Sequence, residues 1–141
     1  MRSPSVTFNH LNELCLSDLN LSKFAHFRYL LSMIKCCPYI KKLDISVIQD
    51  SKYARQHILD FDYNYKLDHL YEVNIEHITG SSAELKLVEY LLAISVVLKN
   101  VFFKSVNCDT TELQLKMSKT LMEFPRASPK ARLLFLENEE Q

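Results

Sequence analysis

Residues Gly80 to Phe103 read GSSAELKLVEYLLAISVVLKNVFF, and the spacing within them decides the fold. Ser81 and Glu84 stand at capping-box distance, where each side chain takes a backbone N–H that the first helical turn leaves open, so a helix is predicted to start here. Leu85, Val88 and Leu92, with Leu87 and Leu91 beside them, recur at three- and four-residue steps and form one wide apolar face. After Ser95 the period falls to two. Val101 and Phe103 share one side of a strand, Asn100, Phe102 and Lys104 share the other, and Leu98 leads in from the turn.

The strand part of this unit, L-x-x-V-x-F, recurs. Leu11, Leu14, Leu16 repeat it, then Ile40, Leu43, Ile45, then Leu70, Val73, Ile75, and finally Ala131, Leu134, Leu136. First positions 11, 40, 70, 98 and 131 are separated by 29, 30, 28 and 33 residues, at and just beyond the upper end of the leucine-rich-repeat range. One such triplet means little in a chain that is 48% hydrophobic. Five in step, with helical patterns in most of the gaps, predict an α/β leucine-rich-repeat-like solenoid of about five parallel strands with helices on the convex side. A repeat of this length cannot bury its own apolar face, so neighbours must stack.

The 141 residues make one domain by length. Lys plus Arg and Asp plus Glu are 17 each, so the formal net charge is zero and the long-range attraction of a nucleic-acid or anionic-membrane binder is missing. No apolar run reaches the roughly 18 residues of a membrane span, and the first ten residues, MRSPSVTFNH, carry no signal-peptide core. An intracellular protein, cytoplasmic or nuclear, is expected. Cys15, Cys36, Cys37 and Cys108 have neither C-x-x-C spacing nor the density of a disulfide scaffold and read as reduced thiols. Asn20-Leu21-Ser22 fits a glycosylation sequon, which carries no weight without a secretory signal.

Taken in order, the first strand falls at about Glu13 to Ser17, and a helix follows Ser22 with Phe24, Phe27, Leu31 and Ile34 on one side, stopped by Pro38. A second strand covers about Lys42 to Ser46. The segment Gln49 to Lys66 has no clean period and reads as a short helix or loop. A third strand covers about Tyr71 to His77, and Gly80, the single glycine, supplies the next turn. Asp109 and Glu112 repeat the capping-box spacing before the stripe Leu113, Met117, Leu121, Phe124 ahead of Pro125. The last strand is expected at about Arg132 to Leu136, followed by an acidic tail.

The strand face turned away from the core is the one free to meet a partner. Across the repeats its columns read Glu13, Lys42, Glu72, Asn100, Leu133, then Cys15, Asp44, Asn74, Phe102, Phe135, then Ser17, Ser46, Glu76, Lys104, Glu137. Alternating charges in the outer columns either fit the sheet to itself or meet a partner. Phe102 and Phe135 stand out in the middle column, because large aromatics on a solvent face await a partner or are covered by the chain's own tail. Asp44, Asn74, Phe102, Lys104 and Phe135 are therefore the candidate partner-binding residues.

Motifs for catalysis are missing. One glycine excludes Gly-rich phosphate loops, and there is no G-x-S-x-G or H-E-x-x-H. His10, His26, His57, His69 and His77 lack ligand spacing, and the calcium-like opening Asp60, Asp62, Asn64 lacks its glycine and closes on Tyr71. No cofactor and no metal are expected, and the chain reads as a non-enzyme. Arg126, between Pro125 and Ala127, either bonds helix-end carbonyls or contacts a ligand.

The stretch LYEVNIEHITGSSAELKLVEYLLAISVVLKNVFF, a helical spacer, and then LMEFPRASPKARLLFL resembles the FBD domain at the C-terminus of the plant F-box/FBD/leucine-rich-repeat family. FNHLNELCLSDLNL and LLSMIKCCPYIKKLDI resemble the repeats that precede it. One motif departs: the family commonly has Ser-Pro before the strand where this chain has Ser95-Val96, while Pro38 and Pro129 keep the pattern. The resemblance implies a leucine-rich-repeat segment over 1–66 and an FBD domain over 67–137, one continuous solenoid, with a tail at 138–141. In such proteins an N-terminal F-box binds the Skp adaptor of a cullin-type ubiquitin ligase while the repeats select the protein to be ubiquitinated. The resemblance thus implies a substrate-recognition module without the F-box itself, which binds an unknown target protein and no adaptor. The alternative is a structural or regulatory fragment that self-associates, or pairs with related repeat proteins, through an uncovered first repeat.

Overall fold

A computed structural model describes residues 8–48, 61–105 and 110–136. Its elements are strand β1 (Glu13–Leu19), helix α1 (Phe24–Cys36), strands β2 (Lys42–Val47) and β3 (Glu72–Glu76), helix α2 (Ser82–Ile94), strand β4 (Asn100–Lys104), helix α3 (Thr110–Met122) and strand β5 (Arg132–Leu136). The five strands form one parallel sheet in the order β1-β2-β3-β4-β5, so each strand lies beside its neighbour in sequence. The calcium-like Asp60, the cap at Asp109, most of Gln49 to Lys66 and the acidic tail lie outside the described residues.

Strict alternation drives the pairing. In β2 and β3, KLDISV and EVNIE, every second residue is buried. Leu14 pairs with Leu43, Leu43 with Val73 and Val73 with Val101, one step on for each repeat. These side chains join Ile45, Ile75 and Phe103 in one cluster with Phe27, Leu31 and Ile34 of α1, Leu87 and Leu91 of α2, and Met117 and Leu121 of α3. All the described helices therefore share one face of the sheet. Fully burying one aliphatic side chain contributes roughly 1.5 to 3 kcal/mol.

Backbone bonds at the corners repeat as well. Asn12 O accepts from both Lys41 N and Lys42 N, Lys41 O from Tyr71 N and Glu72 N, and Tyr71 O from Lys99 N and Asn100 N. Two consecutive N–H groups share one carbonyl, and the corner residues behind them, Ile40, Leu70 and Leu98, are fully buried. The last repeat breaks this rule. Lys99 O accepts from Arg132 N, while Ala131 N turns back to Ser128 O. One residue has dropped out between corner and strand, so Leu133 takes the place beside Val101 and Phe135 the place beside Phe103. The expected frame Ala131, Leu134, Leu136 is corrected to Ala131, Leu133, Phe135. A slip of one residue moves every side chain of a strand to the other face, and here it stacks Phe135 on Phe103 with ring centroids 5.0 Å apart.

At α2 the capping box forms as expected. Ser81 Oγ accepts from Glu84 N at 3.3 Å, and Glu84 Oε1 accepts from Thr79 N, Gly80 N and Ser81 N at 3.0, 2.7 and 2.9 Å. Gly80 has φ +84°, and a Cβ there would sit 3.2 Å from Met117 Cγ, so both conformation and space call for glycine. In α1 the buried stripe is Phe27, Leu30, Leu31 and Ile34. Phe24, expected in it, is 42% exposed at the first turn.

Candidate interaction surface

The open face of the sheet carries Glu13 and Cys15 from β1, Lys42, Asp44 and Ser46 from β2, Glu72, Asn74 and Glu76 from β3, Asn100, Phe102 and Lys104 from β4, and Arg132, Leu134 and Leu136 from β5. Four of the five expected partner-binding residues lie here. Asp44, Asn74 and Phe102 form one row by direct register, and Lys104 pairs with Glu76 and Leu136 in the next. Phe135 does not join them. It packs on the helix-covered face, and Leu134 takes its place beside Phe102.

The row is knitted together over β1 to β3. Asn74 Nδ2 donates to Asp44 Oδ1 at 2.8 Å and to Glu72 Oε2 at 3.0 Å, and Cys15 Sγ donates to Asp44 Oδ2 at 3.5 Å. Partial desolvation, then the bond to the Asp44 carboxylate, push the Cys15 thiol above its ordinary value. It stays a protonated donor. Lys42 and Glu13 stand 3.9 Å apart on the exposed outer column, where such a pair is worth about 1 kcal/mol at most. Above these residues lies an open groove of about 300 Å³, lined among others by Cys15, Ser17, Asp44, Ser46, Asn74 and Glu76. Phe102, Leu134 and Leu136 are half-buried.

Histidines and other polar residues singled out in the sequence have structural partners. His26 Nδ1 accepts from Asn20 N at 3.0 Å, His69 stacks near Tyr39, and His77 Nδ1 lies 3.4 Å from Ser46 Oγ. Asn20 is buried and its Oδ1 accepts from Ser22 N, which makes the sequon-like triplet a turn. Arg126 Nη1 donates to Ala131 O at 2.8 Å, binding the F-P-R-A-S-P turn to the start of β5 rather than to a helix end. Among the described residues no three His, Cys, Asp or Glu side chains gather to hold a metal, and no helix is long and apolar enough to cross a membrane.

A second cluster, on the helix side, escaped the sequence reading. Phe61 meets Phe27 edge-on at 5.7 Å and Tyr90 at 5.2 Å, and Tyr63 meets Tyr90 at 5.5 Å. Tyr90 Oη donates to Asp62 O, Tyr65 Oη donates to Ile34 O, and Lys35 Nζ pairs with Asp62 at 3.0 Å. Burial pushes the Tyr65 phenol up to about 12 and raises Tyr90 also, so both remain donors. The hydrogen bond from Lys35 holds the Asp62 carboxyl below its usual value. Tyrosines at 63, 65 and 90 were the available signal, but without a period nothing in the sequence aims them at one another.

In an alignment 138 positions long that covers 94% of the chain, it is 29% identical to an F-box/FBD/LRR-repeat protein of Arabidopsis thaliana. The chain spans about a third (33%) of that relative's length. No protein-family model matches the chain, and no solved structure matches it significantly. The similarity supports the assignment to the F-box/FBD/LRR-repeat proteins that the sequence motifs pointed to.

Proposed function

We propose that the chain belongs to the F-box/FBD/LRR-repeat family and is a non-catalytic protein-interaction module, a leucine-rich-repeat-like solenoid whose open sheet face receives a target protein. Its role is that of a substrate-recognition region of a cullin-type ubiquitin ligase, working in the cytoplasm or nucleus, with the repeat segment passing into the FBD domain near Leu67. One observation carries the reading: the row Asp44, Asn74, Phe102, Leu134 crosses four strands of a face that no described helix covers. A row of polar groups ending in two large apolar side chains matches the mixture found at protein interfaces, where aromatics anchor and polar groups fix orientation.

The test is capture from plant extract with the wild-type chain and with an Asn74→Lys, Phe102→Ser double variant of unchanged melting temperature. A defined protein retained by the first and lost by the second supports the reading. Equal retention by both refutes it. A second reading, self-association through the first repeat, is favoured by the exposure of Phe8 and Leu11 just before β1, 44% and 37%. Sedimentation at micromolar concentration separates the two, since a clean monomer removes the second.

A further inference from the structure

The open face is divided by charge and polarity at the boundary between β3 and β4. On the β1 to β3 side the described residues present four carboxylates, Glu13, Asp44, Glu72 and Glu76, against one ammonium group, Lys42. On the β4 to β5 side they present Lys104 and Arg132, no carboxylate, and the adjoining apolar side chains Phe102, Leu134 and Leu136. The groove lies on the acidic side, with Asp44 and Glu76 in its lining. Asp44 already accepts from Cys15 and Asn74, yet an ionised carboxylate has about four lone-pair sites, so its charge is dispersed rather than neutralised. Cys15 and Asn74 bring no positive charge. A concave surface lined by one sign of charge concentrates the opposite sign over it.

We infer that the open face selects a segment of the target protein in which a Lys or Arg side chain enters the groove over Asp44 and Glu76 while an aliphatic or aromatic side chain covers Phe102, Leu134 and Leu136. This deepens the target-binding reading above and rests on it. Neighbouring strands are about 4.8 Å apart, so Asp44 and Phe102, two strands from each other, are separated by about 10 Å, which an extended chain spans in about three residues. The basic and apolar side chains of the segment are therefore close neighbours in sequence. Acidic residues are accepted only beyond the apolar one, towards Lys104 and Arg132. A nucleic-acid backbone is repelled by the same four carboxylates that attract the basic side chain.

The experiment is selection of random displayed peptides on the full chain, followed by binding of the enriched synthetic peptides to wild type and to Asp44→Lys and Phe102→Ser variants that keep the wild-type circular dichroism and melting temperature. Enriched peptides should carry Lys or Arg about two to four residues from Leu, Ile, Phe or Trp. Each variant should weaken them by about tenfold or more, and added salt should weaken them further. Peptides that are lost on both variants but lack the basic-apolar pair overturn this inference and leave the target-binding reading standing. Peptides indifferent to both variants, or no enrichment at all, overturn both. A wild-type dimer that Phe102→Ser disperses assigns the face to a second copy of the chain and likewise overturns both.

Discussion

Strands β1 to β3 and strands β4 to β5 build one sheet from the same ladder, yet their open faces are made differently. Over the first three strands the outward side chains bond to one another, as Asn74 does to Asp44 and Glu72. Over the last two they are large and apolar at Phe102, Leu134 and Leu136. The difference reaches the inner face too. In β2 and β3 polar residues mark every outward position, so the two faces are written into the strand. In β5, Leu133 to Leu136 are apolar throughout, and all four are half-buried. A polar open face thus fixes the register of its own strand, and an apolar one leaves the register to its neighbours.

The harshest break of that comparison is Val73→Asp or Leu43→Asp. Either puts an unpaired carboxylate where exposure is zero, at a cost that consumes a stability of about 5 to 15 kcal/mol. Circular dichroism should show no cooperative melting. Next comes a pair that reads the β5 register directly. Phe135→Ala, which loses the stack on Phe103, should cost about 2 kcal/mol, less than a fully buried Phe because Phe135 is only partly covered. Leu134→Ala should cost about 1 kcal/mol or less. Denaturant melts giving the reverse order would restore the A-x-x-L-x-L frame.

A smaller contrast separates two corner serines at equivalent places. Ser128 Oγ donates to Leu98 O at 2.6 Å, whereas the fully buried Ser95 Oγ has no hydrogen-bond partner among the described residues. Ser128→Ala should cost about 1 to 3 kcal/mol because it strands a buried carbonyl, and Ser95→Ala should be neutral or stabilising because it removes a group that is already stranded. The same denaturant melts check both. The smallest effect is behind β2 and β3, at Asp62. Its folded value is depressed by Lys35, so its contribution is complete above the ordinary carboxylate value of about 3.9 and disappears as pH falls through the lower folded value. Lys35→Met should make the acid limb of the stability curve less steep, with little change near neutrality.

Much of the fold was legible because it depends on short-range pattern. The Ser81-Glu84 cap, the helix that follows it and the four copies of the frame led by Leu11, Ile40, Leu70 and Leu98 each follow from residues within one repeat. The candidate surface was legible to the same depth: Asp44, Asn74, Phe102 and Lys104 lie on the open face because their strands alternate. Phe135 was misplaced because Ala131-Arg132-Leu133-Leu134-Phe135-Leu136 offers two apolar frames, and local pattern favours neither. Phe24 was misplaced because helical spacing gives a face but not where its contacts end.

The repeat, the parallel order of the strands and the polar character of the open face from β1 to β3 are already set by residue order, since period-two and period-3.6 patterns are properties of neighbouring residues. The three-dimensional packing settled the frame of β5, the corner where one residue drops out and the aromatic cluster around Phe61 and Tyr90. Each of these is settled by contact between segments about 30 residues or more apart, where the fit of one side chain against another, Phe135 on Phe103 or Tyr90 against Asp62, outweighs anything the local pattern prefers.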